Sequence, residues 1–152
     1  MLTRAGTIAL RALVELAREP RSSISAPDLA SRQGLPVAMV EKLLLSLRRA
    51  GLVAASRGRS GGYRLQIDPQ ELYLQAVLNA VGGWRQTTAT TPEGEEPGGP
   101  TAQAGDQMEL QLQRRLLKAM QKELANLSLA ELLYDQRSWE AALDPEKGLM
   151  LG

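Results

Sequence analysis

The apolar positions of this chain recur in short, well-punctuated sets. Ile8, Ala9, Ala12, Leu13, Leu16 and Ala17 fall three and four residues apart and predict a helix over residues 3–19, closed by Pro20. After a short loop, Ser25 is placed to cap a second helix, with Asp28 three positions on and Pro27 tolerated in the first turn. Gly34 suits the left-handed residue that closes it. A third helix is predicted from Pro36 to Ala50, its stripe made by Val40, Leu43, Leu44 and Leu47. Beyond Gly51 the period shortens. Residues 52–55 are a short apolar run and 63–67 alternate, as the two strands of a hairpin do. Leu74, Val77, Leu78 and Val81 then mark another helix, stopped by Gly82 and Gly83.

The pattern lapses after that. Residues 84–107 hold three Pro, four Gly, several Thr and a short acidic cluster, with almost nothing apolar after Trp84. Such a segment buries too little surface to offset its ordering entropy, so it is expected to be a mobile linker. Glu93, Glu95 and Glu96 read as a solvated acidic turn. Order is predicted to return at Met108. Leu110, Leu117 and Leu124 recur every seven residues, with Met120 and Leu127 between them, and describe a seam over 108–126. Leu112 and Leu116 widen that face. The seam is read as a dimerisation helix, with packing inside one chain as the alternative. Ser128 and Glu131 form a capping box for a short helix carrying Leu129, Leu132 and Leu133. The expected division is thus 1–83, a linker over 84–107, the dimer helix with its short successor over 108–134, and a tail over 135–152.

Helix, tight turn, helix and a hairpin with a basic tip make a winged helix-turn-helix. The fold class is mainly α with a small β-hairpin wing, followed by a long C-terminal dimerisation helix. In such modules the second helix of the pair enters the major groove, and the hairpin tip reaches phosphates or the minor groove. The outer face of the third helix offers Val37, Ala38, Glu41, Lys42, Leu45 and Arg48, with Met39 beside them. The hairpin tip, residues 57–62, carries Arg57, Arg59 and Ser60. Arg4 and Arg11 on the first helix are further candidates for phosphate contact, with plain solvated charges as the equal alternative. A helical hairpin followed by an ordinary β-hairpin is the plainer alternative.

Charge sharpens this picture. Residues 1–64 hold eleven Lys or Arg against four Asp or Glu, a net of +7, and residues 65–152 hold seven against thirteen, a net of −6. The basic half coincides with the winged motif, as a nucleic-acid-binding end should. The chain has no Cys and no His, which removes disulfides, thiolate nucleophiles, imidazole chemistry and nearly every soft-metal site. No apolar run is long enough to span a membrane, and Met1 does not open a signal-peptide pattern. A cytoplasmic location is the default expectation.

Four stretches carry a resemblance to a known family: TRAGTIALRALVELA, LASRQGLPVAMVEKLLLSLRRAGLV, SRGRSGGYRL and LQAVLNAVGG. Together they resemble the IscR/NsrR/CymR-type winged helix-turn-helix transcription regulators. NLSLAELL is similar to that family's short helix after the long one. The most specific part is Arg57-Gly58-x-x-Gly61-Gly62-Tyr63-x-Leu65. The resemblance implies a homodimer whose long helices cross and whose winged domains meet adjacent major grooves of double-stranded DNA. It also implies that Glu41 is the recognition-helix carboxylate that reads a base edge, a role suited to the cytosine amino group. Arg57 matches the family's wing arginine and Tyr63 the aromatic after the glycine pair. Lys42 and Arg48 are phosphate candidates on general grounds.

Three departures bear on function. Many members of the family hold an iron–sulfur cluster on three Cys after the Gly-Gly pair, where this chain has its Cys-free linker, so no cofactor is expected. Met39 replaces a usual aromatic, and Pro36 or Ala38 a common small hydroxyl residue, so base recognition is expected to differ. Arg59 stands where Pro is common and adds a charge to the wing.

The leading expectation is a cluster-free, sequence-specific regulator, most simply a repressor, answering to a small-molecule or protein effector. Trp84 is a candidate wall of an effector pocket, or else closes the domain's core. The alternative is a protein-interaction adapter built on a winged-helix dimer that no longer reads DNA, suggested by the apolar Val37, Met39 and Leu45. No catalytic constellation stands out, and an enzyme is not expected.

Overall fold

The computed structural model describes residues 1–58, 61–85, 96 and 98–146. Helix α1 (Arg4–Arg18) runs through the middle of the domain, and ten of its fifteen residues are buried. Its N-cap is Thr3, whose hydroxyl accepts from the Gly6 amide. Helices α2 (Ala26–Gln33) and α3 (Val37–Arg49) pack on it as the helix-turn-helix pair. Ser25 caps α2 as expected, and Gly34 closes it at φ 63°, a conformation that costs residues with a Cβ. On α3 the buried stripe is Val40, Leu43, Leu44 and Leu47.

The hairpin pairs β1 (Val53–Ser56) with β2 (Gly62–Leu65), Val53 facing Leu65 and Ser56 facing Gly62. The residue before α2 adds a further rung. Ile24 donates to the Tyr63 carbonyl at 2.9 Å and accepts from the Tyr63 amide at 2.8 Å. A Cβ on Gly62 would lie 2.5 Å from the Ile24 carbonyl, so glycine is required for the wing to close on the helix pair. Tyr63 then packs half-buried against the core.

Helix α4 (Leu74–Val81) ends at Gly82, φ 63°, and the chain turns back onto α1. The contact there is backbone on backbone. A Cβ on Gly6 would sit 2.1 Å from the Gly83 carbonyl oxygen, Thr3 donates to that oxygen at 2.9 Å, and Leu2 pairs with Trp84.

The rear of the chain departs from expectation twice. Helix α5 (Pro100–Asn126) begins well before residue 108. Residues 100–107 carry no apolar period to announce a helix, yet Pro100 occupies the first turn and Ala, Gln and Thr continue it. That part of the expected linker is therefore helical; residues 86–95 lie outside the described residues. Helix α6 (Leu129–Leu143) has the predicted capping box of Ser128 and Glu131, but it continues nine residues past 134 into the expected tail. It packs on α1 through Leu129 and Leu133 and then through polar groups, which hid its length from a hydrophobic reading. The turn between α5 and α6 is stitched to the loop before α4. Leu74 donates to Leu127 at 2.9 Å, and Leu129 to Leu72 at 2.8 Å.

Candidate nucleic-acid interface

The face of α3 opposite its buried stripe meets solvent. Val37, Ala38, Glu41, Lys42, Leu45 and Arg48 are all exposed there, and Arg49 joins them in the last turn. No side chain caps α3, because Pro36 holds the N-cap position. Met39 is placed differently from the sequence expectation: it is half-buried and packed against the core, since its position falls beside the buried stripe and away from the outer face. Arg4 is exposed at the start of α1.

The wing is positioned by close backbone packing. Gly58 takes φ 111°, and Gly61 donates to its carbonyl at 2.9 Å. A Cβ on Gly61 would meet the Ser56 carbonyl oxygen at 2.6 Å, so the turn has no room for a side chain there. The Ser56 hydroxyl bonds Ser23 at 3.0 Å and accepts from the Gly62 amide at 3.3 Å, which ties the base of the wing to the loop before α2. Arg57 is exposed at this tip, while Arg59 and Ser60 fall outside the described residues.

A polar cluster that the sequence reading did not foresee fixes α2 from behind. Glu15, buried on α1 among leucines, accepts from the Gln33 side chain at 2.7 Å and from Arg18 at 3.1 Å. Arg11 grips the end of α2, donating to the Gln33 side-chain oxygen and backbone carbonyl, both at 3.0 Å. This takes Arg11 out of the set of free phosphate contacts. Arg18 also pairs with Glu140 of α6, and that guanidinium holds the Glu140 carboxyl below its ordinary range. Glu15 at a position flanked by Val14 and Leu16 was the available signal, because a carboxylate on a buried face needs partners.

The long helix presents its apolar side chains on two faces. Leu124 and Leu127 are half-buried against the chain's own core, and Leu117 is half-buried as well. Leu124 and Leu127 thus pack within one chain, the use set out above as the alternative to a dimer seam. Leu110 and Met120 stay 39% exposed, and Met108, Leu112 and Leu116 are exposed beside them. No residue of α5 is buried. Trp84 is half-buried against the core, and its backbone pairs with that of Leu2.

Residues 2–135 match the Rrf2 family, described as iron-dependent transcriptional regulators. The chain belongs to the Rrf2 family. Among its relatives, the HTH-type protein slr0846 of Synechocystis sp. is 37% identical over 146 residues, covering 93% of this chain and 92% of that one. The transcriptional regulator IscR of Vibrio parahaemolyticus is 31% identical over 149 residues, covering 97% and 86%. In three dimensions the chain is similar to CymR, the global cysteine regulator of B. subtilis. That match has a TM-score of 0.66 and 24% identity, over 88% of this chain and 96% of CymR. As an Rrf2 protein it is a DNA-binding transcription regulator with a winged helix-turn-helix, and the adapter reading is not favoured.

Iron–sulfur ligation in such a protein needs thiolates, with imidazole as the usual substitute. This Rrf2 chain has neither Cys nor His, and among the described residues no three Asp or Glu gather in a way that could hold a metal. The donor set does not fit an iron–sulfur cluster. Among the described residues no helix is long and apolar enough to cross a membrane.

Proposed function

We infer that this Rrf2 regulator works as a cytoplasmic homodimer that represses transcription by occupying a two-fold operator, without a cluster of its own. It acts by binding and not by catalysis. The observation that carries the reading is the placement of α3's outer face and Arg57 on one basic domain, joined to a long helix with an uncovered apolar stripe. In each protomer α3 lies in a major groove, with Glu41 accepting from a cytosine amino group. Lys42, Arg48 and Arg4 contact phosphates, and Arg57, Arg59 and Ser60 hold the flanking backbone or minor groove. The uncovered amides at the start of α3 suit a phosphate as well.

The dimer forms along α5. Met108, Leu112, Leu116 and Met120, four residues apart, supply the stripe that meets the partner, with Leu110 and Leu117 at its edge. Without a cluster, control falls to a small-molecule or protein effector.

Selection of genomic duplexes on the purified protein, followed by titration against salt, tests this. The expected result is a recovered two-fold motif bound far more tightly than bulk DNA. The double variant Arg57→Ala/Arg59→Ala removes two cations from each protomer, so it should weaken that binding and flatten the slope of log affinity against log salt by about 3 to 4. Equal, weak binding of all fragments in buffer and in cell extract would overturn the reading.

A further inference from the structure

The outer face of α3 carries no Asn or Gln, and its cations are Lys42, Arg48 and Arg49. Guanine is read by a bidentate Arg or Lys, and adenine by Asn or Gln. In helix-turn-helix docking it is the N-terminal residues of the recognition helix that reach base edges. The N-terminal half of α3 has no Asn, Gln or Arg, and its only cation is the exposed Lys42. Both arginines, Arg48 and Arg49, come in the last turn.

What this face does offer is branched apolar surface. Val37 is 41% exposed and Leu45 is 42% exposed, with Ala38 between them on the same side as Glu41. The fold leaves about two fifths of Val37 and Leu45 uncovered, while the core of the domain takes Val40, Leu43, Leu44 and Leu47. Met39, the other apolar side chain of the first turn, turns onto the core. A base pair has one apolar group on its major-groove edge, the 5-methyl of thymine.

We propose that Val37, Ala38 and Leu45 determine specificity by packing on thymine 5-methyl groups, so that each operator half-site carries thymine where α3 lies. The proposal rests on the DNA-binding reading and adds which base the apolar face selects. Discrimination comes from removing methyl and side-chain surface from water together. It is weaker per contact than a bidentate hydrogen-bonded pair and tolerant of small shifts of the helix.

Deoxyuridine differs from thymidine only by that methyl, which makes it the probe. Duplexes selected by the full chain are resynthesised with each thymine of the half-site replaced in turn, and binding is measured for the wild type, Val37→Ala, Leu45→Ala and the double variant. Both positions are exposed, so unchanged helical circular dichroism and melting should accompany the substitutions. One or more positions should show an affinity loss of about fourfold in the wild type, the size expected for one buried methyl-sized group. The same replacement should cost much less in the variant that has lost the contacting side chain. Wild-type binding indifferent to deoxyuridine at every position would overturn the proposal, and so would a loss of the same size in all three variants. Failure to select any duplex over bulk DNA would overturn this proposal and the regulator reading together; specific binding that is blind to the methyl would overturn only this one.

Discussion

The front and rear of this chain are finished to different degrees. Around α1 the winged domain has closed on itself: leucines and valines fill its core, and among the described residues no buried side-chain nitrogen or oxygen lacks a partner. Along α5, by contrast, nothing is buried over 27 residues, and large apolar side chains stand in solvent. An isolated helix with that much uncovered surface gains little from its own propensity and relies on packing. On the proposed reading, the part that meets DNA is complete in one protomer, whereas α5 is completed by a partner.

The comparison breaks most visibly at the stripe. Leu112→Glu/Leu116→Glu would place carboxylates in the dimer seam, at a cost of several kcal/mol for burying each charge. Sedimentation should show a monomer that retains its winged-domain melting transition. A dimer of wild-type strength would mean that α5 does not make the interface.

Gly62→Ala attacks the finished side. Its Cβ meets the Ile24 backbone, which cannot step aside without opening the rung to Tyr63, so a loss of about 1–3 kcal/mol is expected. Denaturant unfolding of the dimer-deficient variant would read it directly.

Gln33→Ala removes the amide that Glu15 accepts from and the side-chain half of the Arg11 grip. The buried carboxylate is left with Arg18 alone, and about 1–3 kcal/mol should be lost. Gln33→Glu should be worse, because it sets a second carboxylate against the first.

The smallest effect concerns pH. Arg18 depresses the Glu140 pKa in the folded state, so the pair's stabilisation is present above the ordinary value of 4.5 and is lost as pH falls through the lower folded value. Glu140 is largely solvated, and the contribution should not exceed about 1 kcal/mol. Comparing acid unfolding of the wild type and Glu140→Gln checks it. A gain in stability with acid would reverse the sign.

How much of this was legible in the sequence follows the same front-to-rear contrast. The helix pair could be read because Ser25, Gly34 and the Val40–Leu47 stripe are local signals, and the local answer agrees with the tertiary one. The glycines of the wing were legible as a motif, but their reason was not. Gly62 is held to Ile24, distant in sequence, and no periodicity reports such a contact. The extent of α6 was hidden because it packs through Gln136 and Glu140 against Arg18 and Gln33, so polar residues stand where a hydrophobic pattern looks for leucine. On α5 the heptad of Leu110, Leu117 and Leu124 was visible. Which of its two apolar faces is taken up by the chain's own domain was not, since that depends on where the turn at Leu127 docks the helix.

The most direct test of this account compares a full two-fold site with a single half-site, using the wild type and Leu112→Glu/Leu116→Glu. The wild type should bind the full site far more tightly than the half-site, and the variant should bind both alike with its winged domain still folded. A variant that keeps the wild-type preference for the full site would contradict the claim that α5 couples two complete readers.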